Sequence, residues 1–154
     1  MTRASPDPSQ FNLEMFLPHR IACLHDLTQT VLAGALSELG LTVAHWRVLH
    51  CLAQLGPSDL NSIAAFTVLQ QSTLSRSVAK LGQFGLVSID RLEGDRRHLD
   101  VLITEKGLAK LSEAIDIVTT RLRETFSLSD REEGSLIREI NRIVDTLVVR
   151  QARR

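Results

Sequence analysis

Two adjacent arginines, Arg96 and Arg97, follow Gly94 and Asp95 in the stretch GDRRHLDVLITEKG, between two runs of alternating apolar residues. Paired guanidinium groups on a polar turn can grip an anion, phosphate above all, because each presents a planar fork of N–H donors and a permanent charge. Asp95 would orient one of them or pair with Arg76. The competing description is a solubilising hairpin tip with ordinary surface charges. The segment VLQQSTLSRSVAKLGQFG bears on the choice. It carries Gln70, Gln71, Thr73, Ser75, Arg76, Ser77 and Lys80, and no Asp or Glu occurs from Leu60 to Ile89. A solvated helix face normally mixes both signs of charge. A face of hydrogen-bonding groups and cations alone suits an acceptor-rich, negative surface.

Other chemistries find less support. There is no glycine-rich phosphate loop, no nucleophile elbow and no carboxylate pair in an evident cleft, so no catalytic residue is assigned and no cofactor is expected. His25 and Asp26 are neighbours in sequence, but adjacent helical residues are expected to point apart and form no acid–base dyad. His19, His25, His45, His50 and Cys51 lack the tight ligand spacing of a zinc site, so no metal is expected. Cys23 and Cys51 read as apolar fillers in a reducing compartment rather than as a bridge.

Composition allows these groups to sit on a folded scaffold. The chain has 154 residues, 44% of them hydrophobic, enough to bury a core. Lys plus Arg and Asp plus Glu are both 18, so no global field points to a polyanion. A local patch still acts, because charges are felt over roughly 10 Å at moderate salt. No apolar run approaches a membrane span and MTRASPDPSQ lacks the hydrophobic stretch of a signal peptide, so a cytoplasmic location without membrane association is expected. Residues 1–10 are expected to be disordered and 11–154 to form a single domain.

Helical periodicity dominates from Phe11 onward. A long helix is expected from about Pro18 to Gly40, with Ile21, Leu24, Thr28, Val31, Ala35 and Leu39 at three- and four-residue steps. A second should cover Thr42 to Leu55, with Trp46, Leu49 and Leu52 inward, stopped by Gly56-Pro57. A third, Ser58 to Phe66, should bury Leu60, Ile63 and Ala64. The carboxylate-free helix follows, with Leu74, Val78 and Leu81 facing a core. After Gly85 the period becomes two: Val87, Ile89 and Arg91, then Leu99, Val101 and Ile103, predict a hairpin. Thr104 then caps a helix with Leu108, Leu111, Ile115, Val118 and Leu122 on a seam, and Ser129 to Glu132 opens a last helix bearing Leu136, Ile140, Ile143 and Leu147. The fold class is mainly α with a small β-wing. A winged helix-turn-helix lobe at about 42–104 is flanked by helices at about 11–40 and 105–150 whose seams call for a second copy of the chain.

In that arrangement the polar helix would enter a major groove about 12 Å wide, reading bases with Gln71, Thr73, Ser75 and Arg76 while Lys80 meets phosphate, with Gln70 a further DNA-contact candidate on the same face. Arg96 and Arg97 on the wing would reach the minor groove or the backbone. The chain also resembles the MarR family of transcriptional regulators, through W-R-V-L at Trp46 to Leu49, S-R at Ser75 and Arg76, G-L-V at Gly85 to Val87, D-R-R at Asp95 to Arg97 and T-E-K-G at Thr104 to Gly107. The similarity runs in order from about Phe16 to Val149. It implies a homodimer, held by its N- and C-terminal helices, that binds a palindromic operator in double-stranded DNA. It also assigns Arg97 as the wing-tip arginine, Arg76 as the recognition-helix arginine and Asp95 as the acidic residue of the wing. One departure is that Ser88-Ile89-Asp90 delays the basic residue after G-L-V to Arg91.

The resemblance further implies a repressor released by a small, often aromatic, acid. Phe16, His19, Arg20, Cys23 and His25 on the first helix, with His45, Trp46 and Leu49 on the second, are the candidate effector residues. The pattern FLPHR, similar to one subgroup of the family, offers Arg20 as the anchor for a carboxylate. Alternatives are redox sensing through Cys23, for which the chain lacks tyrosine partners, a metal-responsive regulator of the same fold, an interaction module that does not bind DNA, and an enzyme. Arg150, Arg153 and Arg154 are expected to dangle.

Overall fold

The computed structural model describes residues 11–91 and 99–152. Asp95, Arg96 and Arg97, the expected disorder of 1–10, and Arg153 and Arg154 lie outside the described residues. Six helices and one hairpin follow in the order α1 (Leu17–Ser37), α2 (Val43–Leu55), α3 (Leu60–Thr67), α4 (Gln71–Gln83), β1 (Val87–Arg91), β2 (Leu99–Ile103), α5 (Glu105–Phe126) and α6 (Asp130–Ala152), with a short 3-10 turn at Leu13–Met15 ahead of α1. The order is the one expected, mainly α with a two-stranded antiparallel wing. The chain divides into two compact units, one ending at Arg121 and the other beginning at Leu122. No helix among the described residues is long and apolar enough to cross a membrane.

The first unit is built round the side chains of Leu36, Leu49, Leu52, Ile63, Leu74, Leu81, Val48, Val101 and Cys51, all fully buried. Local chemistry sets the ends of its helices. Asp59 caps α3 by accepting from the Ser62 N–H at 2.8 Å. At α2, Thr42 Oγ1 accepts from the His45 N–H at 3.1 Å while His45 Nδ1 accepts from the Thr42 N–H at 3.2 Å. This is a capping box in which an imidazole takes the place of the usual Glu or Gln.

That box explains one difference from the expected packing. The buried face of α2 is His45, Val48, Leu49, Cys51 and Leu52, whereas Trp46, expected inward, is half-buried at its edge. Likewise Ile63 and Thr67 are the buried residues of α3, with Leu60 and Ala64 only partly covered. In α5 the line turned inward is Gly107, Leu111, Ala114 and Val118, while Leu108 and Ile115 of the expected seam are exposed. The cause is Gly107. A Cβ there would strike the Leu86 carbonyl oxygen and approach Ile103 Cγ1 to 2.8 Å, so the helix backbone presses directly on the start of the wing and its small residues face the lobe.

In the hairpin, Val87 pairs with Ile103, Ile89 with Val101 and Arg91 with Leu99. Ser58, in the turn between α2 and α3, adds a bridge: its N–H donates to the Val101 carbonyl at 3.2 Å and its carbonyl accepts from the Val101 N–H at 2.9 Å. The wing stem is therefore held from both sides. The second unit contains the end of α5 and all of α6. Ser129 opens α6 as expected, its N–H and hydroxyl both donating to Glu132 Oε2. None of the described residues of α6 is buried.

Candidate nucleic-acid interface

The recognition-helix candidates lie on one rigid support. Leu74, Ser77, Val78 and Leu81 of α4 are buried, which turns Gln70, Gln71, Ser72, Ser75, Arg76, Ala79 and Lys80 to solvent and leaves Thr73 half-buried. Buried Ser77 is satisfied internally, its hydroxyl donating to the Thr73 carbonyl at 2.8 Å. Gln70, the N-cap, makes no side-chain capping bond, so its amide is free of the role that a capping side chain would have.

Within the exposed face the residues differ in freedom. Gln71 Nε2 donates to Asn61 Oδ1 of α3 at 3.1 Å, which tethers the amide and leaves its carbonyl oxygen available as an acceptor. Arg76 Nε donates to the Ser72 carbonyl at 3.0 Å, folding the side chain back along its own helix and holding the guanidinium near the first turn. Ser75 stands beside it. Lys80 lies about 14 Å from Gln71 along the axis, at a rise of 1.5 Å per residue. Its ammonium sits 4.9 Å above the Phe84 ring and 3.4 Å from Gln83 Oε1. Lys80 thus serves the end of α4 as well as presenting charge. None of the ion pairs among the described residues falls on α4.

The wing rises next to this helix. Ser88, Ile89 and Asp90 of β1 are exposed, and Arg91 ends the described part of the strand. Residues 92–98, which include the paired arginines, lie outside the described residues. The base of the wing is locked to α5 by residues that also carry the sequence motifs. The Thr104 hydroxyl donates to the Gly85 carbonyl at 2.8 Å and accepts from the Gly107 N–H at 3.0 Å. Lys106 Nζ donates to the Phe84 carbonyl at 2.7 Å. The T-E-K-G and G-L-V segments are one clasp, closed on a glycine that no larger residue can replace without moving Leu86.

The candidate effector residues fall into two groups. On α1, His19 Nε2 lies 3.5 Å from Cys23 Sγ, the Phe11 and Phe16 rings meet edge to face at 5.2 Å, and Arg20 is exposed. His25 Nδ1 lies 3.3 Å from Asp26 Oδ1, so these neighbours do touch, but on an open surface with both side chains largely in water. On α2, Leu49 is fully buried and works as core. His45 is buried, caps its helix, and meets the Phe84 ring edge to face at 6.3 Å. Burial, and secondarily the nearby Lys80 charge, holds its imidazole below the ordinary pKa, which favours the neutral form. Trp46 packs on His50, with centroids 5.7 Å apart. No hydrogen bond or ring contact among the described residues joins the α1 group to the α2 group.

Sequence reasoning named Arg47 only within the W-R-V-L motif and His50 only against a zinc site; it missed that both line a cleft with Trp46 and Phe66, and that Asn61 positions Gln71. The Trp46–His50 spacing of one helical turn was the available signal. Cys51 is buried, and burial pushes its thiol pKa up, away from reactivity. Among the described residues no three His, Cys, Asp or Glu side chains converge on a metal-sized space.

Three short helices, the third exposing a polar face free of carboxylates, followed by a clasped hairpin, define a winged helix-turn-helix protein. The comparisons agree. Residues 41–99 match the model of the MarR family. It is 24% identical over 143 residues to the HTH-type transcriptional repressor IacR of Pseudomonas putida, covering 92% of this chain and 83% of that one. Its fold is that of Bordetella bronchiseptica BpsR, solved in a study of how 6-hydroxynicotinic acid regulates DNA binding by that protein, with a TM-score of 0.75 at 20% identity over 88% of this chain and 99% of the other. Streptomyces coelicolor PcaV, solved with its natural ligand, gives a TM-score of 0.73 at 21% identity, covering 88% and 96%.

Proposed function

We propose that the protein is a homodimeric, cytoplasmic repressor that binds a palindromic operator and is released by a small organic acid. The observation that carries this reading is the exposed face of α4, which offers Gln70, Gln71, Thr73, Ser75, Arg76 and Lys80 without one carboxylate while its opposite face is locked in the core. Gln71, Thr73, Ser75 and Arg76 read bases, and Lys80 and Gln70 approach phosphates. Arg91, Asp95, Arg96 and Arg97 form the wing contact. Support for the dimer comes from the apolar residues left in water on the terminal helices, among them Met15, Leu17, Ile21 and Leu27 before and along α1 and Leu136, Ile137, Ile140 and Val144 on α6. Support for an effector comes from BpsR and PcaV, whose structures concern small ligands. The α1 and α2 residues named above are where it is sought.

The test is selection from a pool of random duplexes. The expected product is a pair of inverted half-sites about 10 bp apart, or a multiple of that, matching two lobes related by a twofold axis. Arg97→Ala should then weaken binding about tenfold while the mass in solution stays that of a dimer. Recovery of no preferred sequence, or loss of the dimer in Arg97→Ala, contradicts the assignment.

A further inference from the structure

Ser75, Val78 and Ala79 of α4, Ile89 and Val101 of the hairpin and Leu60 of α3 line a narrow cleft of about 160 Å³ between α4 and the wing. Five of these six side chains are hydrocarbon, and none carries charge. The floor is firm: Val78 and Val101 are buried, and Val101 is bonded through both its N–H and its carbonyl to Ser58. The mouth is open. Ile89 stands directly across the ladder from Val101, so both side chains leave the same face of the sheet, yet Ile89 is 54% exposed and Val101 2%. Asp90 and Asp100 pair one residue along, on the opposite face, and neither lines the cleft. On the helix side, Ser75 and Ala79 lie one turn apart, both exposed, with Arg76 beside them.

Small-molecule pockets begin at roughly 300 Å³, about twice this size, so the cleft takes the projecting edge of something larger rather than a separate ligand. Hydrocarbon walls select an apolar edge, because a polar group entering would give up water and find no partner beyond Ser75. The Ser75 hydroxyl makes no hydrogen bond among the described residues. A free hydroxyl donor beside a hydrocarbon recess is the complement of one base edge in the major groove. Thymine shows an O4 acceptor next to its C5 methyl, where cytosine shows an N4 donor and a bare C5. We propose that the cleft reads thymine, with the C5 methyl seated between Ala79 and Ile89 and O4 accepting from the Ser75 hydroxyl. This inference rests on the reading of α4 as the helix that enters the major groove. It brings Ile89 of the wing into base readout and gives a role to Ala79, the one hydrocarbon side chain exposed on α4. A deoxyribose edge is the other apolar projection that a duplex offers, and the test separates the two.

The experiment takes a duplex selected by the full chain and replaces each thymine in turn by deoxyuridine, which removes the methyl and keeps every hydrogen-bonding group. Affinity is read by fluorescence anisotropy. Replacement at one thymine in each half-site should weaken binding about fourfold, the factor for one buried methyl-sized group, and replacement elsewhere should matter less. The thymine-to-uracil ratio at that position is then measured in Ala79→Gly and in Ile89→Ser. It should fall below about twofold in each, whatever the change does to overall affinity or stability, since both duplexes meet the same variant. Ile89→Val keeps hydrocarbon at the mouth and should retain most of the ratio. Selective binding with no uracil-sensitive thymine overturns the proposal while leaving α4 as the base-reading helix, and is the result that a deoxyribose contact gives. A ratio undiminished in both variants puts the methyl contact elsewhere and overturns it too. If Ile89→Ser fails to fold, Ala79→Gly decides alone. A chain that prefers no duplex sequence refutes the base-reading role of α4 itself, and the thymine site falls with it.

Discussion

Helices α4 and α6 are both amphipathic, yet they end in opposite conditions. In α4 the apolar stripe finds partners within its own lobe, with Leu74, Val78 and Leu81 buried. In α6, Leu136, Ile137, Ile140, Val144 and Val148 all remain in water, while its charges are satisfied locally by Ser129 with Glu132 and Arg142 with Glu139. The difference separates what is finished from what is open in one chain. The open face of α4 is polar and one-signed, fit for an external polyanion. The open face of α6 is apolar with mixed charge around it, fit for another protein surface, and a second copy is the proposed one.

The same truncation should therefore have different consequences in the two helices. Leu74→Ala removes a fully buried side chain and should cost the lobe about 3 kcal/mol in denaturant unfolding. Ile140→Ala, at 43% exposure, should cost the isolated fold less than about 0.5 kcal/mol but raise the concentration at which the dimer dissociates in sedimentation. Equal effects on lobe stability would erase the contrast. Next in size, Arg76→Ala should cost about 1–3 kcal/mol of operator binding in fluorescence anisotropy and relax preference at one base position, since the side chain is tethered on the open face rather than packed. Smaller still, Val68→Gly should stabilise the lobe by about 0.5–1 kcal/mol, because glycine accepts the left-handed turn at less cost, and a loss of stability would show that Val68 is packed better than its 85% exposure indicates.

The smallest effect is in pH dependence. Burial and Lys80 depress the His45 pKa in the folded chain, so the unfolded chain takes up a proton first as pH falls below the ordinary 6.5. Stability is full above that pH and drains as pH drops from it toward the lower folded value. His45→Gln keeps a capping partner for the Thr42 N–H and has no proton to gain, so its stability should be flatter across this window. The carboxylates of Glu132 and Glu139, held low by Ser129 and Arg142 respectively, lose their contribution only below their ordinary 4.5, and that acid limb should persist in the variant.

Helix order, the wing and the polar face of α4 were legible because each rests on a local pattern: period 3.6, period two, and an absence of acidic residues. The T-E-K-G and G-L-V segments were legible as a family resemblance, but their work as a clasp was not. It depends on Gly107 meeting the Leu86 carbonyl across the fold, a contact that no spacing encodes. The inward face of α2 was misjudged by one residue because a capping histidine, a polar side chain, occupies a position that hydrophobicity gives to Trp46. The Arg47 cleft escaped for the same kind of reason. Its residues come from two helices, and only packing shows that Phe66 and His50 share a space.

The central claim is that the open face of α4 and the wing arginines meet phosphates and bases of duplex DNA. The most direct test is the affinity for a selected duplex measured across a range of salt concentrations, for the parent chain and for Arg97→Ala. Binding should fall linearly on a log–log plot, with a slope that becomes shallower by about one when a single phosphate contact is removed. An affinity indifferent to salt, or a slope identical in the variant, would contradict the account.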